Sequence, residues 1–140
     1  MKGAWVMHTL RNVINDDKLW FKILKEFMIE NAKNFVNTKD FFDKVYKETG
    51  TDYWYFAEQY FYSPNQPELE FYQTENKFFF KWNNVNDNFI MPLDLLVNGA
   101  EKRVFPSEKF QSFPISKYAQ IEVMDWDFYV SPKKINTLSN

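Results

Sequence analysis

Tyr62-Ser63-Pro64-Asn65-Gln66-Pro67-Glu68-Leu69 is the stretch at which the hydrophobic pattern of this 140-residue chain changes. Upstream of it, apolar residues recur every three or four positions, a spacing typical of amphipathic helices. Downstream, apolar and polar residues alternate, which is typical of strands. Because Pro64 and Pro67 both oppose the continuation of a helix, we predict an α+β fold with antiparallel helices over residues 1–63 and a small β-sandwich over residues 64–140.

Four helices are predicted in the first part. The apolar stripe of the first helix consists of Val6, Met7, Leu10, Val13 and Ile14. A second helix is expected over about residues 17–30. Thr38 is the expected N-cap of a third helix, which Gly50 ends, and Asp52 is the expected N-cap of a fourth helix that runs to about residue 62.

Six or seven short strands are predicted in the second part, because runs of alternating polarity are separated by turn residues. A hairpin is centred on Thr74-Glu75-Asn76, and Asn98-Gly99 predicts a second tight turn. Further strands are expected at about residues 91–97, 102–105, 109–113, 120–124 and 128–130. The residues after Pro132 are expected to fray. So many short strands favour a β-sandwich.

The composition excludes several classes of partner and site. The net charge is −2, and a nucleic-acid surface needs a basic stripe, so we predict no nucleic-acid partner. The sequence has no apolar run of about 18 residues, so we predict no membrane span. It has no cysteine, which excludes disulfides and thiolate metal sites. The aromatic fraction of 21% is high and is enough to bury a sizeable core.

Polar residues offer few candidates for chemistry. His8 is the only histidine, and one imidazole without cysteines does not make a zinc site with the usual three protein ligands. We expect a structural role for His8, with the lining of a substrate groove as the alternative. Asp16-Asp17 is interpreted as a helix start. Asp125 and Asp127 would share one face of a strand, and a turn or surface role is favoured over an acid–base pair. We therefore predict no catalytic, cofactor-binding or metal-ligating residue in this chain.

Aromatic runs have two possible interpretations. Tyr53-Trp54-Tyr55-Phe56 and Tyr60-Phe61-Tyr62 favour a core or a domain seam, because aromatics at helical spacing are usually buried, but they also suit a stacking platform. Phe79 is expected on the outer face of its strand, beside Tyr72, as a surface for a neighbouring domain. Lys133-Lys134 is interpreted as a solvated tail.

Several short motifs occur in an order and spacing that carry a family resemblance. They are Lys2-Gly3, Trp5-Val6-Met7-His8-Thr9-Leu10-Arg11, Asp17-Lys18-Leu19-Trp20, Asn37-Thr38-Lys39-Asp40-Phe41, the run from Thr49-Gly50-Thr51-Asp52-Tyr53 to Phe61, Pro92-Leu93-Asp94-Leu95-Leu96-Val97 and Val123-Met124-Asp125. This series resembles the zinc aminopeptidases of the aminopeptidase N and leukotriene-hydrolase type, which are gluzincin metallopeptidases. Gln66 departs from the pattern, because the family usually has a glycine near this position.

The resemblance implies the end of a larger enzyme that removes N-terminal residues from peptides. Residues 1–63 would be the last helices of its thermolysin-like catalytic domain. The H-E-x-x-H motif, the glutamate ligand and the catalytic Tyr would precede Lys2, so the parent would bind zinc while this chain alone would be inactive. Its partners would be the N-terminal and catalytic domains of the same polypeptide, and a peptide substrate would bind to the parent.

A severed helical part should leave apolar residues uncovered. We expect exposure of Trp5, Val6, Leu10 and Val13, and a homodimer of the fragment as the simplest way to cover them. Two alternatives come from the residues alone. The first is a stand-alone, aromatic-rich β-sandwich that binds a peptide or glycan, and the second is a structural or assembly protein without a ligand.

Overall fold

The structure is a computed structural model that describes residues 2–33 and 37–136. Within these residues, four helices are followed by seven strands in two sheets, which confirms the α+β fold class. The helices are α1 (Lys2–Ile14), α2 (Asp17–Glu30), α3 (Thr38–Thr49) and α4 (Trp54–Phe61). The strands are β1 (Glu68–Gln73), β2 (Lys77–Asn83), β3 (Leu93–Val97), β4 (Ala100–Val104), β5 (Gln111–Pro114), β6 (Ile121–Val123) and β7 (Ser131–Lys134).

Local capping explains where the helices begin and end. The N-cap of α3 is Asn37 and not Thr38, because Asn37 and Asp40 form a reciprocal capping box. Gly50 ends α3 in the left-handed conformation, with φ 76°, as predicted. The N-cap of α4 is Tyr53 and not Asp52, although Asp52 Oδ1 still accepts a hydrogen bond of 2.9 Å from the amide of Trp54.

The strands form two sheets whose order is not sequential. The first sheet has the order β5-β2-β1-β7, and the second has the order β4-β3-β6. All pairs are antiparallel except β1 with β7. The predicted hairpin is β1–β2, in which Phe71 is opposite Phe80. The Asn98-Gly99 turn joins β3 to β4, with positive φ at both residues.

The last strand corrects two expectations. Residues 128–130 do not form a strand, and the chain beyond Pro132 is paired in β7. The amide of Ser131 donates to the carbonyl of Pro67 at 2.9 Å, so the next position, Pro132, faces away from β1. Because β7 is an edge strand, the missing N–H of Pro132 breaks no ladder bond.

One core joins the helices and both sheets. Its buried side chains include Leu10 of α1, Phe56 of α4, Phe78 of the first sheet and Leu93 of the second. The indole of Trp82 also lies in this core and donates to the carbonyl of Met91 at 3.2 Å. The division into domains at residues 63 and 64 stays a prediction, and its test is whether the two parts unfold together. None of the helices in the described residues is long and apolar enough to cross a membrane.

Candidate functional site

Helix α1 is attached to the turn that follows β6. His8 Nε2 lies 3.0 Å from Asp127 Oδ1, and the Nδ2 of Asn12 donates to the main-chain carbonyl of Asp127 at 3.2 Å. Because an ionised carboxylate can only accept, the contact with Asp127 fits a histidine tautomer that donates from Nε2. We call the contacts between α1 and the β part the α1 seam.

Buried hydroxyl groups of α1 and α4 hold the main chain at Tyr129. The hydroxyl of Thr9 is inaccessible to solvent, donates to the carbonyl of Trp5 at 2.7 Å and accepts from the amide of Tyr129 at 2.8 Å. The phenol of Tyr60 donates to the carbonyl of Tyr129 at 2.8 Å. Both main-chain polar groups of Tyr129 are thus satisfied by helix side chains, as buried groups require. Burial raises the pKa of Tyr60 well above 10, so this phenol remains a donor.

A single arginine holds the end of α1. Arg103 of β4 donates to the carbonyls of Asn12 and Val13 at 2.6 and 3.0 Å, and its Nε lies 2.8 Å from Asp94 Oδ1. These carbonyls lie in the last turn of the helix, where a cation is favourable. The seam therefore fixes α1 both at its centre and at its C-terminal end.

An ion-pair network joins α2 to α3. The buried ammonium of Lys44 lies 2.9, 3.4 and 3.2 Å from carboxylate oxygens of Glu26, Glu30 and Glu48. Lys22 approaches Glu48 at 2.7 Å. The hydrogen bonds that Lys44 donates to carboxylates, above all to Glu26, raise the pKa of Lys44. Hydrogen bonds from Lys22 and Lys44 lower the pKa of Glu48. This arrangement is a structural clamp between two helices.

The predicted carboxylate pairs have separate contacts. Asp16 caps α2 by accepting from the amide of Leu19, and Asp17 pairs with Arg11 at 2.8 Å, so both lie at a helix start. Asp125 and Asp127 lie in a turn and not on one face of a strand. Within residues 2–33 and 37–136, no group of three His, Cys, Asp or Glu side chains is placed to hold a metal ion.

The aromatic runs are divided between core and surface. Tyr55, Phe56 and Tyr60 are buried, Trp54 is half-buried against the core, and Phe61, Tyr62 and Tyr46 of α3 are exposed. We call Tyr46, Trp54, Phe61 and Tyr62 the aromatic ridge. Trp54 borders two grooves of about 490 and 340 Å³.

The outer face of the first sheet carries a second aromatic group. Phe79 lies beside Tyr72 as predicted, with ring centroids 4.5 Å apart in a stacked arrangement, and Phe110 packs against Tyr72 edge-on. Lys133-Lys134 belongs to β7 and not to a solvated tail, and Lys133 Nζ lies 3.9 Å from a carboxylate oxygen of Glu70.

Of the four apolar side chains expected to be uncovered, Trp5 is exposed and the other three are buried. Val6, Leu10 and Val13 are buried within this chain, which corrects the expectation that they are exposed, and Trp5 is 39% exposed. Exposed apolar residues lie instead on α2, where Phe21, Met28 and Ile29 are each more than half exposed. The reason is that the β part packs on the inner stripe of α1, while nothing in the described residues covers the outer face of α2.

The functional contacts missed from sequence are mostly long-range. Thr9, Lys44 and Arg103 carry no motif that predicts their partners. The Asp94–Arg103 pair is an exception, because counting outward from the two-residue turn Asn98-Gly99 places these residues opposite each other. No local sequence pattern predicts that Arg103 also donates to carbonyls of α1.

No family model matches the sequence. No curated protein matches it either. Among solved structures, the fold is similar to that of Legionella pneumophila aminopeptidase A in complex with aspartic acid, with a TM-score of 0.77 and 18% sequence identity. The likeness covers 97% of this chain and 18% of that chain. A structural neighbour of this chain is thus an aminopeptidase, and the chain, helices and sheets together, spans less than a fifth of that neighbour's length.

Proposed function

We propose that this chain is a C-terminal part of a zinc-dependent aminopeptidase that removes N-terminal residues from peptides. The supporting observation is that nearly the whole chain shares its fold with one segment of an aminopeptidase. The motif series from Lys2-Gly3 onward resembles the gluzincin aminopeptidases, and it supports the same proposal independently of the fold.

In this proposal the chain supports catalysis without performing it. The described residues offer no group of three metal ligands, and the proposal places the zinc site in the preceding part of the polypeptide. Zinc would polarise the scissile carbonyl and activate water there. The residues of this chain would position α1, which in the proposal follows the catalytic Tyr. His8, Thr9 and Arg103 hold α1 against the β part through the contacts described above. We propose that the β part, through this seam, fixes the position of α1 in the wall of the catalytic domain.

The test compares the natural gene product with this chain alone. We expect the natural product to carry H-E-x-x-H and a later glutamate ligand upstream, to contain zinc, and to hydrolyse an aminoacyl reporter until the metal is chelated. The 140-residue chain should neither contain zinc nor hydrolyse the reporter, because its sequence has one histidine and no cysteine. Metal analysis and reporter hydrolysis are measured on both proteins.

Two results would contradict the proposal. The first is a native reading frame without those upstream ligands. The second is zinc binding with turnover by the 140-residue chain that survives repurification.

A further inference from the structure

We propose that the aromatic ridge is a binding site for an extended basic peptide segment, with a lysine or arginine side chain placed over Trp54. This inference rests on the surface of α3 and α4 and is independent of the aminopeptidase proposal. The ridge is formed by residues of two helices and the following loop, and its aromatic side chains are not used by the α1 seam.

Trp54 is fixed in orientation and divides two grooves. Its indole packs edge-on against Phe42, with ring centroids 6.0 Å apart, and Phe42 is buried in the core. On one side Trp54 and Tyr62 border a groove that also reaches Pro64. On the other side it borders a groove with Tyr46. Aromatic-lined grooves of this kind accept extended peptides, whose alternate side chains enter successive grooves.

The charge of the grooves selects a cationic ligand. Asp43 and Asp52 lie in the groove of Tyr46, and Glu58 lies in the groove of Tyr62. Lys39 is the one basic residue among the described residues that line either groove, and its ammonium is paired with Asp43 at 2.9 Å. The charges of Lys39 and Asp43 cancel, so Asp52 and Glu58 are the carboxylates that attract an ammonium or guanidinium group and repel an acidic ligand. The face of a tryptophan is the best aromatic partner for such a cation.

The ring geometry favours a peptide over a glycan. Trp54 and Tyr62 pack against each other with ring centroids 5.9 Å apart and a tilt of 43°. A sugar ring stacks on a flat aromatic face, which this pair does not present across its two rings. A cation with an apolar neighbour suits the outer surface of these rings and the carboxylates that border the grooves.

The experiment titrates the 140-residue chain with a blocked peptide of about eight residues that alternates Arg and Pro, which remains extended. A matched peptide with Glu in place of Arg is the charge control. Binding is measured by calorimetry and by tryptophan fluorescence. Tyr62→Ser and Glu58→Gln test the ridge, and Tyr118→Ser is the matched control, because Tyr118 is 84% exposed and borders neither groove.

We expect the Arg peptide to bind and the Glu peptide not to bind. Each ridge variant should raise the dissociation constant about three- to ten-fold, which corresponds to one cation–π or charge contact. Tyr118→Ser should leave binding unchanged. Tyr62 is 63% exposed, so its variant should fold, and an unchanged unfolding midpoint shows this.

Four results would overturn the proposal. They are no binding of the Arg peptide at about 1 mM, equal binding of both peptides, binding that is insensitive to Tyr62→Ser, and a neutral oligosaccharide that binds with the same dependence on Tyr62 while the Arg peptide does not. Sensitivity to Glu58→Gln without sensitivity to Tyr62→Ser would indicate charge attraction alone and would also reject the ridge as the site.

Discussion

Thr9 shows how one side chain can join distant parts of the sequence. Its hydroxyl accepts from the amide of Tyr129, 120 positions away, and donates to the carbonyl of Trp5 in its own helix. The residue is inaccessible to solvent. An unpaired buried amide has a high desolvation cost, so the hydroxyl contributes by preventing that cost as much as by bonding.

Replacing Thr9 with valine should test this contact. Thr9→Val keeps the shape but leaves the amide of Tyr129 unpaired, and we expect the free energy of unfolding to fall by about 1–3 kcal/mol. Denaturant titration gives the value. Thr9→Ser is the matched control, since it retains the hydroxyl and should lose less. A smaller loss in Thr9→Val than in Thr9→Ser would show that the methyl group matters and the hydrogen bond does not.

Prediction from sequence fails at this scale for a physical reason. A hydroxyl in a helix has several local acceptors, and nothing in its neighbourhood predicts a partner near Tyr129. By contrast, the Asp94–Arg103 pair follows from a short turn, whose geometry sets the register. His8 was expected to have a structural role, and its contact with Asp127 is compatible with that interpretation.

At the scale of elements, α2 and α3 form a hairpin with its own cohesion. Ile23 and Val45 are fully buried between these helices but lie outside the main core cluster. Lys44 adds contacts to three glutamates around it. The hairpin therefore combines buried apolar contacts with a network of charge pairs.

The stability of this hairpin should decrease at acidic pH. The hydrogen bond from Lys44 lowers the pKa of Glu26 below its ordinary value of 4.5. The positive charges of Lys22 and Lys44 also lower it. A lowered folded-state pKa gives stability that is present above pH 4.5 and is lost as pH falls through the folded value. Lys44→Met removes the partner and leaves three carboxylates close together, so we expect a lower Tm at pH 7 and a difference from the parent that narrows below about pH 4.5.

The control for this prediction is Lys39→Met. Lys39 pairs with Asp43 on an exposed face, and such pairs contribute little. Thermal unfolding is followed at several pH values for all three proteins. A Tm difference between Lys44→Met and the parent that stays constant down to pH 3 would rule out the glutamates as its source.

Elements were predictable from sequence where local chemistry is strong. The helix positions follow from periodicity, and Gly50 ends α3 because only a residue tolerant of positive φ fits there. The N-cap of α3 was predicted one residue late, because asparagine and threonine are both good caps and Asp40 completes a box only with Asn37. Strand β7 was missed because its Pro132 and lysines oppose a strand, and only parallel pairing with β1 makes it one.

For the whole molecule, the change of pattern at Pro64–Pro67 predicted the order of helices and strands. It did not predict the arrangement of the sheets, because strand order depends on pairings such as β1–β7 and β2–β5 that no local pattern encodes. Nor did it predict that one core would include α1, α4 and both sheets. The burial of Val6, Leu10 and Val13 follows from that shared core.

A shared core should make the two parts unfold together. Phe56 of α4 is fully buried in it, and Phe56→Ala should lower the free energy of unfolding by about 3–5 kcal/mol. Native-state hydrogen exchange should report the same opening free energy for amides of α1 and β1, in the parent and in the variant. Phe21→Ala is the control, because Phe21 is 52% exposed and its loss should have little effect.

The same hydrogen-exchange measurement tests the predicted domain boundary between residues 63 and 64. If the helical amides exchange at a clearly lower free energy than those of β1, the parts are separate cooperative units. Equal values would show one unit in spite of the change from helices to strands.

The α1 seam also constrains the order in which contacts form while the protein is synthesised on the ribosome. Residues 2–14 are synthesised well before their partners, since Asp127 and Tyr129 are 119 and 120 positions behind the residues they contact. The growing chain thus carries α1 without its native docking surface until almost all of the described sequence has been synthesised. Since distant contacts require the closure of a long loop before they contribute, α1 cannot attach in its native position before Asp127 and Tyr129 have been synthesised. During that interval its apolar stripe is available to chaperones.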